Sequence, residues 1–84
     1  MIKVYYVPNC DFCKQAKRML FDNNIDYEEI NLKEKQHRKA RAFYRELGLE
    51  TLPIIVDKIG DDEYVLEFDR LEKHLEEHYN EEDF

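Results

Sequence analysis

The strongest constraint on the fold is a pair of cysteines, Cys10 and Cys13, the only two in the chain, set between a run that reads as strand and one that reads as helix. Ile2-Lys3-Val4-Tyr5-Tyr6-Val7 is rich in β-branched and aromatic residues and stops at Pro8-Asn9, as a short strand entering a turn does. Beyond it Phe12, Ala16, Met19 and Leu20 recur at three- and four-residue steps through about Asn24, the period of an amphipathic helix. The cysteines therefore fall on the first turn of a helix that follows a strand directly.

That placement carries chemistry. At a helix start the free backbone N–H groups and the positive end of the dipole favour an anion, so Cys10 should hold its thiolate more readily than an ordinary cysteine. Cys10 is the candidate nucleophile. Cys13 lies on the same face one turn later, close enough to attack a mixed disulfide on Cys10 and release the other partner reduced, which makes it the candidate resolving thiol. Asp11 opposes the thiolate and Lys14 supports it. Two other readings stay open at this point. The cysteines can be ordinary buried thiols, or half of a zinc site completed by His37, His74 or His78, although these histidines are distant and supply no second closely spaced pair.

With 84 residues, 43% of them apolar, the chain has material for one small core, expected over residues 1–79, followed by an acidic, aperiodic stretch at 80–84 that reads as a frayed tail. Two cysteines make no disulfide framework, so packing must hold the fold. The N-terminal apolar run carries Lys3 and ends at a proline, unlike a signal peptide, and no stretch approaches the roughly 20 apolar residues of a bilayer span. The reading is a soluble cytoplasmic monomer, in which a Cys-x-x-Cys pair is catalytic rather than structural. A net charge of −7, from 20 acidic and 13 basic residues, argues against nucleic acid as a partner.

Further along, Asn23-Asn24 and Asp26 mark a turn, and Tyr27-Glu28-Glu29-Ile30-Asn31-Leu32 alternates as a strand does. A second helix is expected from Lys35 to Leu47, with Ala40, Phe43, Tyr44 and Leu47 on one stripe and Gly48 just past its end. The cations Lys33, Lys35, Arg38, Lys39, Arg41 and Arg45, with His37, read first as its solvated face and second as a docking surface for an acidic segment. Ile54-Ile55-Val56 follows Thr51-Leu52-Pro53 and reads as a buried strand, Asp57 to Asp62 as a turn, and Glu63-Tyr64-Val65-Leu66 as a strand pairing back in a hairpin. Asp69 is expected to cap a last helix with Glu72 as its capping-box partner and Phe68, Leu71, Leu75 and Tyr79 as its apolar stripe. His74 and His78, four apart near the end of that helix, suit its negative pole better than a metal. Tyr5 and Tyr6 alternate across the sheet and read as packing residues. The order β-α-β-α-β-β-α predicts an α/β fold: a mixed four-stranded sheet with helices on both faces, its first two strands parallel and its last two antiparallel.

In this combination of a Cys-x-x-Cys after the first strand, Thr51-Leu52-Pro53 before the third and Phe68-Asp69 opening the last helix, the chain resembles the glutaredoxins of the thioredoxin-fold superfamily over nearly its whole length. The resemblance implies a dithiol thiol-disulfide oxidoreductase with no bound cofactor, working through a redox-active Cys10-Cys13 disulfide. It also implies a cis bond before Pro53, with the Leu52 backbone pairing with an extended substrate beside Cys10, and Thr51, Phe12 and Asp69 around the bound partner. Glutathione-using members commonly carry a lysine before the cysteines, a tyrosine between them and a Gly-Gly pair ahead of the last helix; here those places hold Val7, Phe12 and Leu66-Glu67. Side chains and a negative charge at the Gly-Gly place crowd and repel an anionic tripeptide. A second branch, the short glutaredoxin-like redoxins reduced by thioredoxin reductase and feeding ribonucleotide reductase, fits better, although the tryptophan motif usual there is missing. The expectation is thus a protein-disulfide reductant recycled by thioredoxin reductase. The alternatives are glutathione as reductant, or an iron–sulfur or metal module holding a cluster through Cys10.

Overall fold

The computed structural model describes residues 1–48 and 51–79. The acidic stretch expected to fray, 80–84, lies outside them. Among the described residues the chain forms strands β1 (Ile2–Tyr6), β2 (Tyr27–Asn31), β3 (Ile54–Ile59) and β4 (Asp62–Glu67) and helices α1 (Asp11–Asp22), α2 (Arg38–Glu46) and α3 (Phe68–Tyr79). The strands form one mixed sheet in the order β2-β1-β3-β4. β1 runs parallel to β2 and antiparallel to β3, and β3 runs antiparallel to β4, so the expected parallel first pair and closing hairpin are both present.

The two faces of β1 explain the layers. Ile2 and Val4 point to one side, where Ile55, Ala16 and Leu20 of α1 and Leu71 and Leu75 of α3 close a buried cluster. Tyr5 points to the other, where its ring lies 5.0 Å from that of Tyr44 on α2. Tyr6 returns to the first side and takes the Lys17 ammonium over its ring at 3.9 Å, while Lys17 also pairs with Glu29 of β2 at 3.0 Å. Tyr5 and Tyr6 are thus packing residues on opposite faces, as their alternation requires. Four turn positions hold a residue that tolerates the left-handed backbone: Asn9 (φ 62), Asn24 (φ 57), Gly48 (φ 81) just past α2, and Gly60 (φ 60) in the two-residue turn between β3 and β4.

The structure differs from the sequence reading in several places. The second helix does not begin at Lys35: Lys35–His37 form one 3₁₀ turn, and α2 starts at Arg38. Its apolar stripe is not buried, for Phe43 and Leu47 are 54% and 57% exposed and only the Tyr44 ring reaches the sheet at Tyr5. The last helix opens at Phe68, directly after β4, so Asp69 lies inside the first turn instead of capping it. Phe68 packs against the core cluster, which fixes the helix start one residue early.

The largest difference concerns Asp57, assigned to a turn from sequence. It is the fourth residue of β3, opposite Ile2, and fully buried. An acid ending an apolar run reads as a turn unless its partners are known, and these come from far along the chain. His74 Nε2 lies 2.7 Å from Asp57 Oδ2, and the Tyr79 hydroxyl donates to the same oxygen at 2.8 Å. His74 is accordingly a buried core histidine, its ring packed 5.1 Å from that of Tyr64 and 4.6 Å from that of His78, and not an exposed helix-end residue. Burial, then the hydrogen bond to Asp57, pushes the Tyr79 phenol up to about 12.

His74→Leu leaves a buried acid one partner short, and urea unfolding should register a loss of about 1.5–3 kcal/mol. Because the Tyr79 proton is held more tightly in the folded state, its share of stability is intact below the ordinary tyrosine range near 10 and is lost as pH climbs towards 12. Tyr79→Phe should flatten that part of the alkaline unfolding curve; a curve of unchanged steepness would contradict the assignment.

Candidate active site

β1 ends at Tyr6, Pro8 and Asn9 make the turn, and the left-handed Asn9 delivers Cys10 to the N-cap of α1. There Cys10 has an extended backbone, its carbonyl accepts from the Lys14 N–H at 3.1 Å, and its Sγ accepts from the Cys13 N–H at 3.1 Å. A sulfur in the place where Ser or Asp usually caps a helix receives one of the free N–H groups and the positive pole, which favours charge on it once it is reduced. Cys13 lies one turn on, with a Cα–Cα separation of 5.2 Å, and the two are joined as a disulfide. The two differ in access: Cys13 is 1% exposed, whereas Cys10 is only half-buried.

The antiparallel pairing of β1 with β3 brings the residues before β3 to the same edge of the sheet. The Leu52–Pro53 bond is cis, and the Leu52 carbonyl lies 3.8 Å from Cys10 Sγ, where it can accept from the Cys10 thiol in the reduced state. Pro53 is buried and Thr51 exposed. Phe12, 56% exposed, lies with its ring 5.2 Å from that of Phe68 at the start of α3. The structure thus gathers Cys10, Cys13, Phe12, Leu52 and Pro53 at one edge. Asp69 is exposed on the first turn of α3, one residue beyond Phe68, and its side chain makes no hydrogen bond or ion pair among the described residues.

One contact escaped the sequence reading. The Thr51 hydroxyl donates to the Glu67 carboxylate, tying the segment before Pro53 to the end of β4. Sixteen residues separate the two, and neither local pattern signals the other. The histidines raised as zinc ligands do not join the cysteines: His74 is committed to Asp57 towards the opposite end of β3, with the His78 ring tilted against it at 4.6 Å. Among the described residues no group of three or more His, Cys, Asp and Glu side chains is arranged to hold a metal ion, and no helix is long and apolar enough to cross a membrane.

Comparison with known proteins gives this geometry a family. The sequence model of the glutaredoxins matches residues 2–64, from β1 into β4. The chain belongs to the glutaredoxin family. It is 35% identical over 82 residues to glutaredoxin 1 of Rickettsia typhi, covering 89% of this chain and 79% of that one. It is 33% identical over 55 residues to the glutaredoxin-like protein NrdH of Lactococcus lactis, covering 66% and 74%. The solved structure of the glutaredoxin-like NrdH-redoxin of Escherichia coli, described as having a thioredoxin-like activity profile, superposes with a TM-score of 0.64 at 25% identity over 86% of this chain and 91% of that one. The sheet order and the cysteine pair of this glutaredoxin are those of a thiol–disulfide oxidoreductase.

The difference in access predicts the order of modification. Limiting iodoacetamide added to the reduced protein should label Cys10 first, with Cys13 following only after partial denaturation, as read by peptide mass mapping. Equal early labelling of both would contradict the burial of Cys13.

Proposed function

We propose that this glutaredoxin reduces protein disulfides with Cys10 as nucleophile and Cys13 as resolving thiol. The supporting observation is Cys10 Sγ at the N-cap of α1, accepting from the Cys13 N–H and facing the Leu52 carbonyl. The Cys10 thiolate attacks one sulfur of the substrate disulfide and the other leaves as a thiolate, which takes a proton. The Cys13 thiol gives up its proton and attacks Cys10 Sγ, forming the Cys10–Cys13 disulfide and releasing the second substrate sulfur as a thiol. Two electrons pass to the substrate. Leu52, at the cis bond, offers its N–H and C=O to an extended substrate segment, with Thr51, Phe12 and Asp69 around it.

Of the two ways to restore the dithiol, thioredoxin reductase is favoured over glutathione. Glu67 stands where glutathione-using members carry glycine, and its carboxylate is held by Thr51 beside the Leu52–Pro53 backbone. The tripeptide's carboxylates would meet that negative charge at close range. Val7 replaces a cation in the approach to the cysteines. The likeness to NrdH proteins extends the reading to ribonucleotide reductase as the protein disulfide supplied, with the redoxin working as a monomer in the cytoplasm.

Two recycling tubes test this, one with NADPH and thioredoxin reductase, the other with glutathione and its reductase, each following reduction of the Cys10–Cys13 disulfide. Turnover should be efficient only in the first; efficient turnover only in the second makes glutathione the reductant. Cys10→Ser should abolish reduction of a disulfide substrate, and Cys13→Ser should accumulate a mixed disulfide on Cys10 visible by intact mass. Full turnover by Cys13→Ser would remove the resolving role.

A further inference from the structure

Six of the thirteen cationic residues lie between positions 33 and 45, and Glu34 is the only acid among them, in a chain whose net charge is −7. Lys33, Lys35, Arg38 and Arg41, with Leu32 and Glu34, line a cleft of about 330 Å³ where the chain leaves β2 and enters α2. None of the six cations makes an ion pair among the described residues. Nor does the core account for α2, since no residue of that helix is buried.

The position of the cleft is set by the sheet. β1 and β2 are parallel and adjacent, and the Leu32 N–H donates to the Tyr6 carbonyl at 2.8 Å. The Leu32–Lys35 turn therefore leaves the sheet at the edge from which Cys10 leaves, one strand spacing of about 4.8 Å to the side. At the same edge β4 ends in Glu67 on the other flank of β3. In the sheet order β1, which leads to Cys10, thus lies between β2, which leads to the basic cleft, and β4, which ends in Glu67.

We propose that this basic cleft docks an acidic segment flanking the disulfide of the partner protein, a reading that rests on the thiol–disulfide exchange proposed above. A macromolecular segment fits better than a small anion because the cations continue beyond the cleft to Lys39 and Arg45. They extend along a helix that nine residues make about 14 Å long, too far for one carboxylate or phosphate to span. Attraction of this kind acts mainly on the association rate and weakens with salt.

The test uses the full chain, reduced and freed of reductant, in single-turnover reaction with three synthetic peptides. Each carries the same intramolecular disulfide, flanked by glutamates, glutamines or lysines. At low ionic strength the Glu-flanked peptide should react about tenfold faster than the Gln-flanked one, and the advantage should vanish in high salt. Arg38→Glu/Arg41→Glu should abolish or invert that order, whereas Lys58→Glu/Lys73→Glu, the same charge change away from the cleft, should preserve it. The uncharged bis(2-hydroxyethyl) disulfide should be reduced equally by all three proteins. Equal rates for the three peptides, or a Glu preference that survives Arg38→Glu/Arg41→Glu, would overturn the docking role. So would a preference confined to a glutathione mixed disulfide, which would make the cleft a small-anion site. Failure to reduce bis(2-hydroxyethyl) disulfide at all would instead overturn the exchange chemistry on which the docking rests.

Discussion

The antiparallel pairing of β1 with β3, Tyr5 opposite Ile54 and Ile2 opposite Asp57, governs where the chemistry of this protein can occur. It turns the end of one central strand and the start of the other towards the same edge, so the loop carrying Cys10 and the segment carrying Leu52 and Pro53 must meet there. The same register carries Asp57 to the far end, where α3 meets it with His74 and Tyr79. One pairing thus separates a polar cluster that fastens the last helix from a sulfur pair of which only Cys10 is accessible. The pairing itself is held by Ile2, Val4 and Ile55 under α1 and α3, each fully buried and each contributing on the order of 1.5–3 kcal/mol by removal from water.

The cysteine site was largely legible in the sequence because its determinants are local. Strand, turn and helix N-terminus are contiguous from Ile2 to Cys13, and the apolar period of α1 already places the sulfurs at its start, although Cys10 proves to be the N-cap and only Cys13 lies in the first turn. The resemblance carried by Thr51-Leu52-Pro53 supplied the second half of the site, and the cis bond is present. What remained hidden depends on contacts between distant residues. Asp57 reads as a turn acid because the histidine that meets it lies 17 residues further on. Phe43 and Leu47 share an apolar stripe, but a period of 3.6 cannot say whether the sheet reaches that helix. Here it does so through Tyr44. The strand order was open for the same reason, since a right-handed crossover fixes the hand of β1-α1-β2 but not the side on which β3 is added.

The contrast between α1 and α2 follows from this. α1 buries Cys13, Ala16 and Leu20, so its sequence is bound both by packing and by the sulfur chemistry at its start. α2 buries nothing and opens without a side-chain cap hydrogen bond. Its capacity to stay helical rests on good helix formers such as Ala40, Ala42 and the arginines, and on the Tyr44 contact. A helix so lightly held by the core is free to take a composition set by what it meets in solution.

Charge then does for orientation what packing does for position. Glu67, held by Thr51 on one side of the Leu52–Pro53 backbone, and the cations that begin at Lys33 on the other lie at a single sheet edge with Cys10 between them. On the docking proposed above, a partner approaching in one direction sets its acidic flank against the basic cleft; turned end for end, it sets that flank against Glu67, where like charges repel. Because thiol–disulfide exchange requires attack along a defined line at one sulfur of the two, a field that distinguishes the ends of an extended segment also selects which sulfur faces Cys10. Screening should erode this selection faster than it erodes the intrinsic reactivity of Cys10, because the docking charges are exposed whereas the Cys13 N–H and the helix terminus lie against the sulfur itself.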